Sequence, residues 1–276
     1  MNELITGLLQ ESISGIALGS IYALIALGFT LIYKASEVVN FAQGEVMMVG
    51  AYVNFFFVSY FSSIVGEVNG WVFLLAFLGS IIFAVIFGIT LDFIINRPLK
   101  DEPVFSIIMA TISLAIILRA LTALIAGPIS LVPQSPFGGS VMKVAGVVVS
   151  YLDLSIIFSA VVLMGLFFVF FNKTRWGIAM KATSEDSEAA QLMGIPVKKV
   201  YMIVWVFAAI VGVVSGILLA PRMSLLDTSM GFLGLKAFPA AILGGFGSIP
   251  GAVVGGIILG VIETVSMGTL SFHFSW

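Results

Sequence analysis

The sequence predicts an all-α protein, a polytopic bundle of transmembrane helices, and three observations predict it. Apolar residues make up 60% of the chain and charged residues only 9%, whereas soluble domains run near a quarter charged. The mean hydropathy is +1.19. The apolar residues also gather into runs, about eight hydrophobic segments in all, and a helix crossing roughly 30 Å of hydrocarbon needs about 20 mostly apolar residues.

Taken in order, the first run is Ile13–Tyr33. It follows MNELITGLLQESIS, which has no positive n-region, so it reads as a retained span and not as a cleaved signal peptide. Glu45–Phe61, Trp71–Ile95, Val104–Ala126, Leu154–Phe171 and Tyr201–Ala220 are spans by the same criterion. Phe232–Phe246 is too short to cross comfortably, and GGFGSIPG (244–251) joins it to a last run, Gly251–Met267. Pairs of glycines four apart recur at Gly15/Gly19, Gly212/Gly216, Gly247/Gly251, Gly251/Gly255 and Gly256/Gly260. Such pairs let helix backbones approach closely in lipid and predict a tightly packed bundle.

Charge gives the orientation. With the N-terminus outside, Lys34, Arg97, Lys100, Lys173, Arg175, Lys181, Lys198 and Lys199 share one side, while Lys143, Arg222 and Lys236 fall on or near the other. Positive residues accumulate on the cytoplasmic side, so the loop 172–200 is expected there. The loop Gly127–Ser150, with three prolines and few charges, is expected outside.

Ionisable residues in hydrophobic segments are functional candidates, because an unpaired charge in hydrocarbon costs several kcal/mol. The candidates are Glu45, Asp92, Arg119 and Glu263. Asp92 and Glu263 lie near the ends of their runs and are expected to snorkel. Arg119 is deeper, where an ion pair between helices and a solute contact are both open. Two glycine-marked breaks add candidates. VVNFAQGEVMMVGAY (38–52) opens the second run with Asn40, Gln43, Gly44 and Glu45, and GGFGSIPG carries Gly247, Ser248 and Pro250. Broken helices leave backbone groups that must line a cavity or be covered by protein, and in transporters they often mark the path. Asn40, Gln43, Glu45, Arg119, Gly247 and Ser248 are therefore the candidate path residues, with a packing element that touches no solute as the competing reading.

One stretch is out of keeping with the rest. SEDSEAAQLMGIPVKK (184–199) is polar and helix-forming. Thr183 and Asp186 suggest a capping box, Gly194 a stop and Pro196 a block to resumption. The expected product is a helix of about ten residues, too short to hold its shape alone in water. Something must pack on its small face, where Ala189 and Met193 are aligned and Glu185 and Glu188 form a charged edge. The chain's own loops, the membrane surface and a partner protein are all open on physical grounds.

EAAQLMG, with Glu188, Ala189, Ala190 and Gly194, resembles the cytoplasmic "EAA" motif of ABC importer permeases. GSIYALIALGFTLIYKASEVVNFAQGEVMMVGAY (19–52), RWGIAMKATSEDSEAAQLMGI (175–195) and LGLKAFPAAILGGFGSIPGAVVGGIILGVIE (233–263) are similar to branched-chain amino-acid ABC permeases of the LivH type. The resemblance covers nearly the whole chain in preserved order. It implies a single transmembrane permease domain over residues 1–276, with residues 172–200 a cytoplasmic loop whose coupling helix, through Glu185, Glu188, Ala189, Ala190, Met193 and Gly194, docks on an ATPase subunit. It also implies a location in the bacterial inner membrane, a second related permease, two ATPase subunits, an external solute-binding protein and a small-molecule solute. Branched-chain amino acids are the expected solute, with urea or short amides as the alternative. Family members usually carry a further hydrophobic span, whereas this sequence ends in TVSMGTLSFHFSW with its only histidine, His273, which is expected to have no chemical role.

Other classes fit poorly. The chain has no basic patch for nucleic acid, and no cysteine for thiolate chemistry or Cys-type metal sites. No G-x-x-x-x-G-K-[ST] loop occurs, Lys173–Thr174 being the only Lys followed by Ser or Thr, so the chain is not expected to hold ATP in that way, and a permease that uses ATP must borrow it from partners. No G-x-S-x-G or HExxH motif supports an enzyme, and no cofactor is expected. An ion-coupled carrier or channel would place charges on facing mid-span positions and would leave the capped loop helix unexplained.

Overall fold

The computed structural model describes residues 2–99, 102–127, 129–134, 140–144 and 147–274, with the side chains of residues 2–5, 144 and 269–274 outside the description. Lys100 and the side chain of His273 therefore lie outside the described residues. The helices are α1 (Asn2–Ser36), α2 (Gln43–Val65), α3 (Gly70–Leu91), α4 (Arg97–Leu99), α5 (Val104–Ala126), α6 (Tyr151–Lys173), α7 (Arg175–Glu185), α8 (Ser187–Leu192), α9 (Val197–Met223), α10 (Met230–Gly244) and α11 (Ile249–Phe274). Seven are long and apolar enough to cross a membrane, the turn Asp92–Asn96 making α3 and α4 one span, and α10 is the short apolar eighth. The expected segments are all present. A hairpin of β1 (Val141–Val144) and β2 (Val147–Ser150) was not foreseen within the 127–150 loop.

Apolar character around the whole circumference marks a helix buried on all sides or facing lipid, and both cases occur. α1 is the central post, with 89% of its apolar window buried, whereas α5 has 11% buried and turns most of its aliphatic surface outward. Glycine decides which helices touch α1. A β-carbon on Gly15 would lie 2.9 Å from the Val261 Cα, and one on Gly19 2.7 Å from the Ile257 Cα. The partner positions fall along α11 as those on α1 rise, so the two helices are antiparallel. Gly212 and Gly216 do the same for α9 against Val46 and Met47 of α2, and Gly251 and Gly255 bring α11 against Gly244 and Ala240 of α10. Gly247 has no such neighbour and serves the turn instead.

Ends are fixed locally. The Asn69 side chain accepts from Val72 N at 3.0 Å to start α3, Ser150 Oγ accepts from Leu152 N to start α6, and Gly66 closes α2 in the left-handed conformation. At the end opposite the basic loops, Arg222 of α9 pairs with Asp153 of α6 and donates to Ser14 Oγ of α1 at 2.7 Å.

Two expectations about ionisable residues are corrected. Asp92 does not snorkel. It is fully buried, where Arg97 Nε donates to it at 2.9 Å and Asn96 Nδ2 at 2.8 Å. The π turn Asp92–Asn96 widens the helix by a residue and brings these donors back over the carboxylate. Glu263 does not reach for the membrane edge either. It accepts from Tyr22 Oη of α1 at 2.8 Å and from Lys236 Nζ of α10 at 2.7 Å, because the α1–α11 crossing holds it inside the bundle.

Candidate functional site

The first break is a helix that starts inside the bundle. Residues 37–42 leave α1 at Glu37, which has φ 55°, and turn back inward before α2 begins. Phe41 N donates to Thr111 Oγ1 of α5 at 3.3 Å, and Gln43 Nε2 donates to Ala208 O of α9 at 2.9 Å. Thr111 and Ala208 lie 7 and 11 residues beyond the basic-end starts of their helices, about 10 and 16 Å in at 1.5 Å per residue. The α2 N-terminus is therefore near the middle of a hydrocarbon layer of about 30 Å. Gly28 leaves the room that the Gln43 side chain occupies, since a β-carbon there would overlap it. Asn40 Oδ1 caps the turn by accepting from Ala42 N at 3.1 Å, and Asn40 lines a small cavity of mixed character, with Ser36, Asn96 and Thr111 beside Ile32, Leu99 and Trp205.

Two residues further along α2, Glu45 pairs with Arg119 of α5, 74 residues away in sequence. Arg119 also lies over the Phe232 ring of α10, 3.7 Å from its centroid. The charges found at sequence level are thus two halves of one interaction, and α10 was the missed partner. Gly231 and Gly234 make the approach possible: a β-carbon on Gly231 would overlap the Glu45 carboxylate, and one on Gly234 the backbone of Gly44. Those glycines were the available signal, standing outside the four-residue spacing used to find helix contacts.

The second break sits elsewhere. Gly245 has φ 84°, Ser248 Oγ accepts from Gly251 N at 3.1 Å to start α11, and Gly247 and Ser248 are exposed. Ile249 shares a crevice with Lys34 and Lys181, which places this turn at the basic end. Rings connect it to the first break: Phe41 to Phe238 at 5.5 Å, Phe238 to Phe246 at 5.4 Å, and Phe246 to Tyr33 at 4.7 Å. Asn40, Gln43, Glu45 and Arg119 are brought together, while Gly247 and Ser248 are not.

The polar stretch is two helices, not one. Thr183 is buried inside α7 and donates to Ala179 O at 2.9 Å, so it caps nothing. α7 has its own cap, Thr174, and ends on Glu185. Asp186 turns extended and accepts from Glu188 N and Ala189 N, both at 2.9 Å, to start α8. An aspartate carboxylate taking two orphan N–H groups is a strong N-cap, which is why the break falls here. The end comes where Gly194 was expected to make it: Gly194 has φ 85° and donates to Gln191 O, while Ile195 N donates to Ala190 O, both at 3.0 Å. This is a Schellman closure. Ala189 and Met193 are both exposed, as their shared face allows, and Ala190 turns the other way. Ala190 is 5% exposed and packs on its own chain, whereas Leu192 and Met193 are 88% and 84% exposed. Glu185, Glu188, Ala189 and Gly194 are also exposed. Leu192 went unnoticed, although an apolar pair ending a polar helix was readable as an anchor.

The pattern that defines the permease component of branched-chain amino-acid transport systems matches residues 12–275. The chain belongs to this family. It is 34% identical to the high-affinity branched-chain amino acid transport system permease protein LivH of Escherichia coli, over 99% of this chain and 91% of that protein. It is 35% identical to BraD of Pseudomonas aeruginosa, a permease protein of the same description, over 92% of this chain and 85% of that one. A shorter likeness, 36% identity over 36% of this chain and 32% of the relative, links it to the L-arabinose transport system permease protein AraH of Escherichia coli. No solved structure matches the chain. The permease is thus a multi-pass membrane component of a transport system, and the described residues hold no cluster of His, Cys, Asp and Glu suited to a metal.

Proposed function

We propose that this permease forms half of the translocation path of an ATP-driven importer for branched-chain amino acids in the bacterial inner membrane. A second, related permease supplies the other half. Two ATPase subunits attach at the basic, cytoplasmic end, and a soluble binding protein delivers the solute outside. The relatives' names favour branched-chain amino acids over urea or short amides.

The observation that carries the coupling is the pair Leu192 and Met193, exposed at the C-terminal end of a six-residue helix fixed at both ends. A helix this short keeps its shape only through its caps and a partner. Ala190 secures it to the permease, and the two large apolar side chains project away as anchors for an apolar pocket. Force from nucleotide-driven closure of the ATPases passes through α8 into α7 and α9, and from α9 to Gln43 through the bond to Ala208 O. Binding of solute at one face and release at the other follow from rocking of packed helices about the mid-bilayer break.

The test is uptake of leucine by the complete complex in proteoliposomes, with Leu192→Glu and Met193→Glu beside the unmodified protein. Each substitution places a charge in the apolar contact and should release the ATPase subunits or abolish their control of uptake, while α1 to α11 still assemble. Unchanged uptake and ATPase binding in both would remove α8 from the coupling route.

A further inference from the structure

Glu45 and Arg119 meet inside the bundle, and neither is fully satisfied there. Glu45 Oε2 and Arg119 Nε are buried without a hydrogen-bond partner, although Glu45 is 97% buried by residue. Buried charges are stable when every lone pair and N–H finds a partner, so this pair is an incomplete solution as a purely structural tie. Its two members also differ in access. The Glu45 side chain is 4% exposed and that of Arg119 29%, and Phe232, the ring beneath the guanidinium, is 54% exposed. A solute approaching this face meets a guanidinium and an aromatic wall first, with a carboxylate behind them.

We infer that Glu45 and Arg119 are the solute's charge-matching site: the pair opens to take the carboxylate of a zwitterionic α-amino acid on Arg119 and its ammonium on Glu45, with the aliphatic side chain against Phe232. The inference rests on the amino-acid reading of the function given above and assigns it residues. Its logic is electrostatic. Opening the pair strands a carboxylate in a dry site, and the solute must replace what was lost. A zwitterion restores both partners, and the guanidinium fork matches its carboxylate in geometry. An amine leaves Arg119 unpaired, an organic anion leaves Glu45 unpaired, and a neutral amide replaces neither charge. Gly231 gives the Glu45 carboxylate its room, since any side chain there would overlap Oε2.

The experiment uses the complete importer in proteoliposomes, measuring leucine uptake, complex assembly and ATPase stimulation by the loaded binding protein. The variants are Glu45→Gln, Arg119→Gln and the double Glu45→Gln/Arg119→Gln. The double variant keeps the shape of the pair and removes both charges, so a merely structural role predicts recovery. Charge matching predicts that all three lose uptake at least tenfold with assembly and ATPase stimulation intact. Double-variant uptake within twofold of the unmodified protein would overturn the inference and leave the importer reading standing. Uptake of urea but not of any amino acid by the unmodified complex would overturn both. If the double variant does not assemble, Glu45→Asp and Arg119→Lys, which keep both charges, must retain more uptake than Glu45→Gln and Arg119→Gln at equal assembly, and an equal loss overturns the inference.

Discussion

Gly19 and Ile257 meet backbone against backbone, and a methyl group added to Gly19 would lie 2.7 Å from the Ile257 Cα. No carbon pair tolerates that distance, and the obstruction is main chain, which cannot rotate away. In lipid, helices associate through close packing and not through a hydrophobic driving force, so this contact and its neighbours at Gly15 and Gly260 hold the central post to the last span. Gly19→Val should destabilise the bundle by at least the roughly 1–3 kcal/mol typical of overpacking, read as a lower melting temperature in detergent. Gly165→Ala, with nothing within 4 Å of its added carbon, should not lower it, since Ala favours a helix interior over Gly.

Ala190 and Leu192, two residues apart on opposing faces of α8, make opposite predictions. Ala190→Arg forces a long charged side chain into the buried contact beneath α8 and should loosen the 184–199 segment itself, seen as faster hydrogen exchange or proteolytic nicking in the permease alone. Leu192→Glu leaves the isolated permease as resistant as before and acts only when the ATPase is present. Equal protease sensitivity in the two variants would contradict the assigned faces.

Gln43 holds the α2 N-terminus to α9 through a single bond to Ala208 O. Gln43→Leu removes the donor, leaves a buried carbonyl without it, and should cost about 1–3 kcal/mol in the stability of the purified permease. Gln43→Glu also removes the donor and adds a charge, so its loss should be larger, and a smaller loss would place Gln43 in water.

Access to the break can be followed with single cysteines, the chain having none of its own. A thiol replacing Ser248 should react with an impermeant reagent from the basic side in every nucleotide state, because that position is exposed. Thiols replacing Asn40 and Gln43, both 1% exposed, should react slowly in the resting complex and faster in one nucleotide state. Constant protection at both would separate the break from the path.

Asp92 and Arg97 test the π turn. Asp92→Ala leaves the Asn96 amide and the Arg97 guanidinium without their acceptor, and should straighten the Asp92–Asn96 segment. Arg97 is 43% exposed, so screening by water keeps the stability loss to about 1 kcal/mol. The readout is amide hydrogen exchange across Asp92–Asn96, which should quicken.

The spans, the breaks and the stop at Gly194 were legible in the residues because each is a local matter. A run of apolar side chains, a glycine able to take φ 85° or a proline without an N–H acts within a few residues of itself. What only the tertiary structure decided is which groups meet. That Glu45 finds Arg119, that Glu263 finds Tyr22 and Lys236, that Ala190 turns inward while Leu192 turns out, and that the first break lies deep while the second lies at the basic end all depend on each helix's rotation and depth. Those are fixed by backbone contacts such as Gly19 with Ile257 and Gly216 with Met47, between segments far apart in the chain, and no local pattern encodes them.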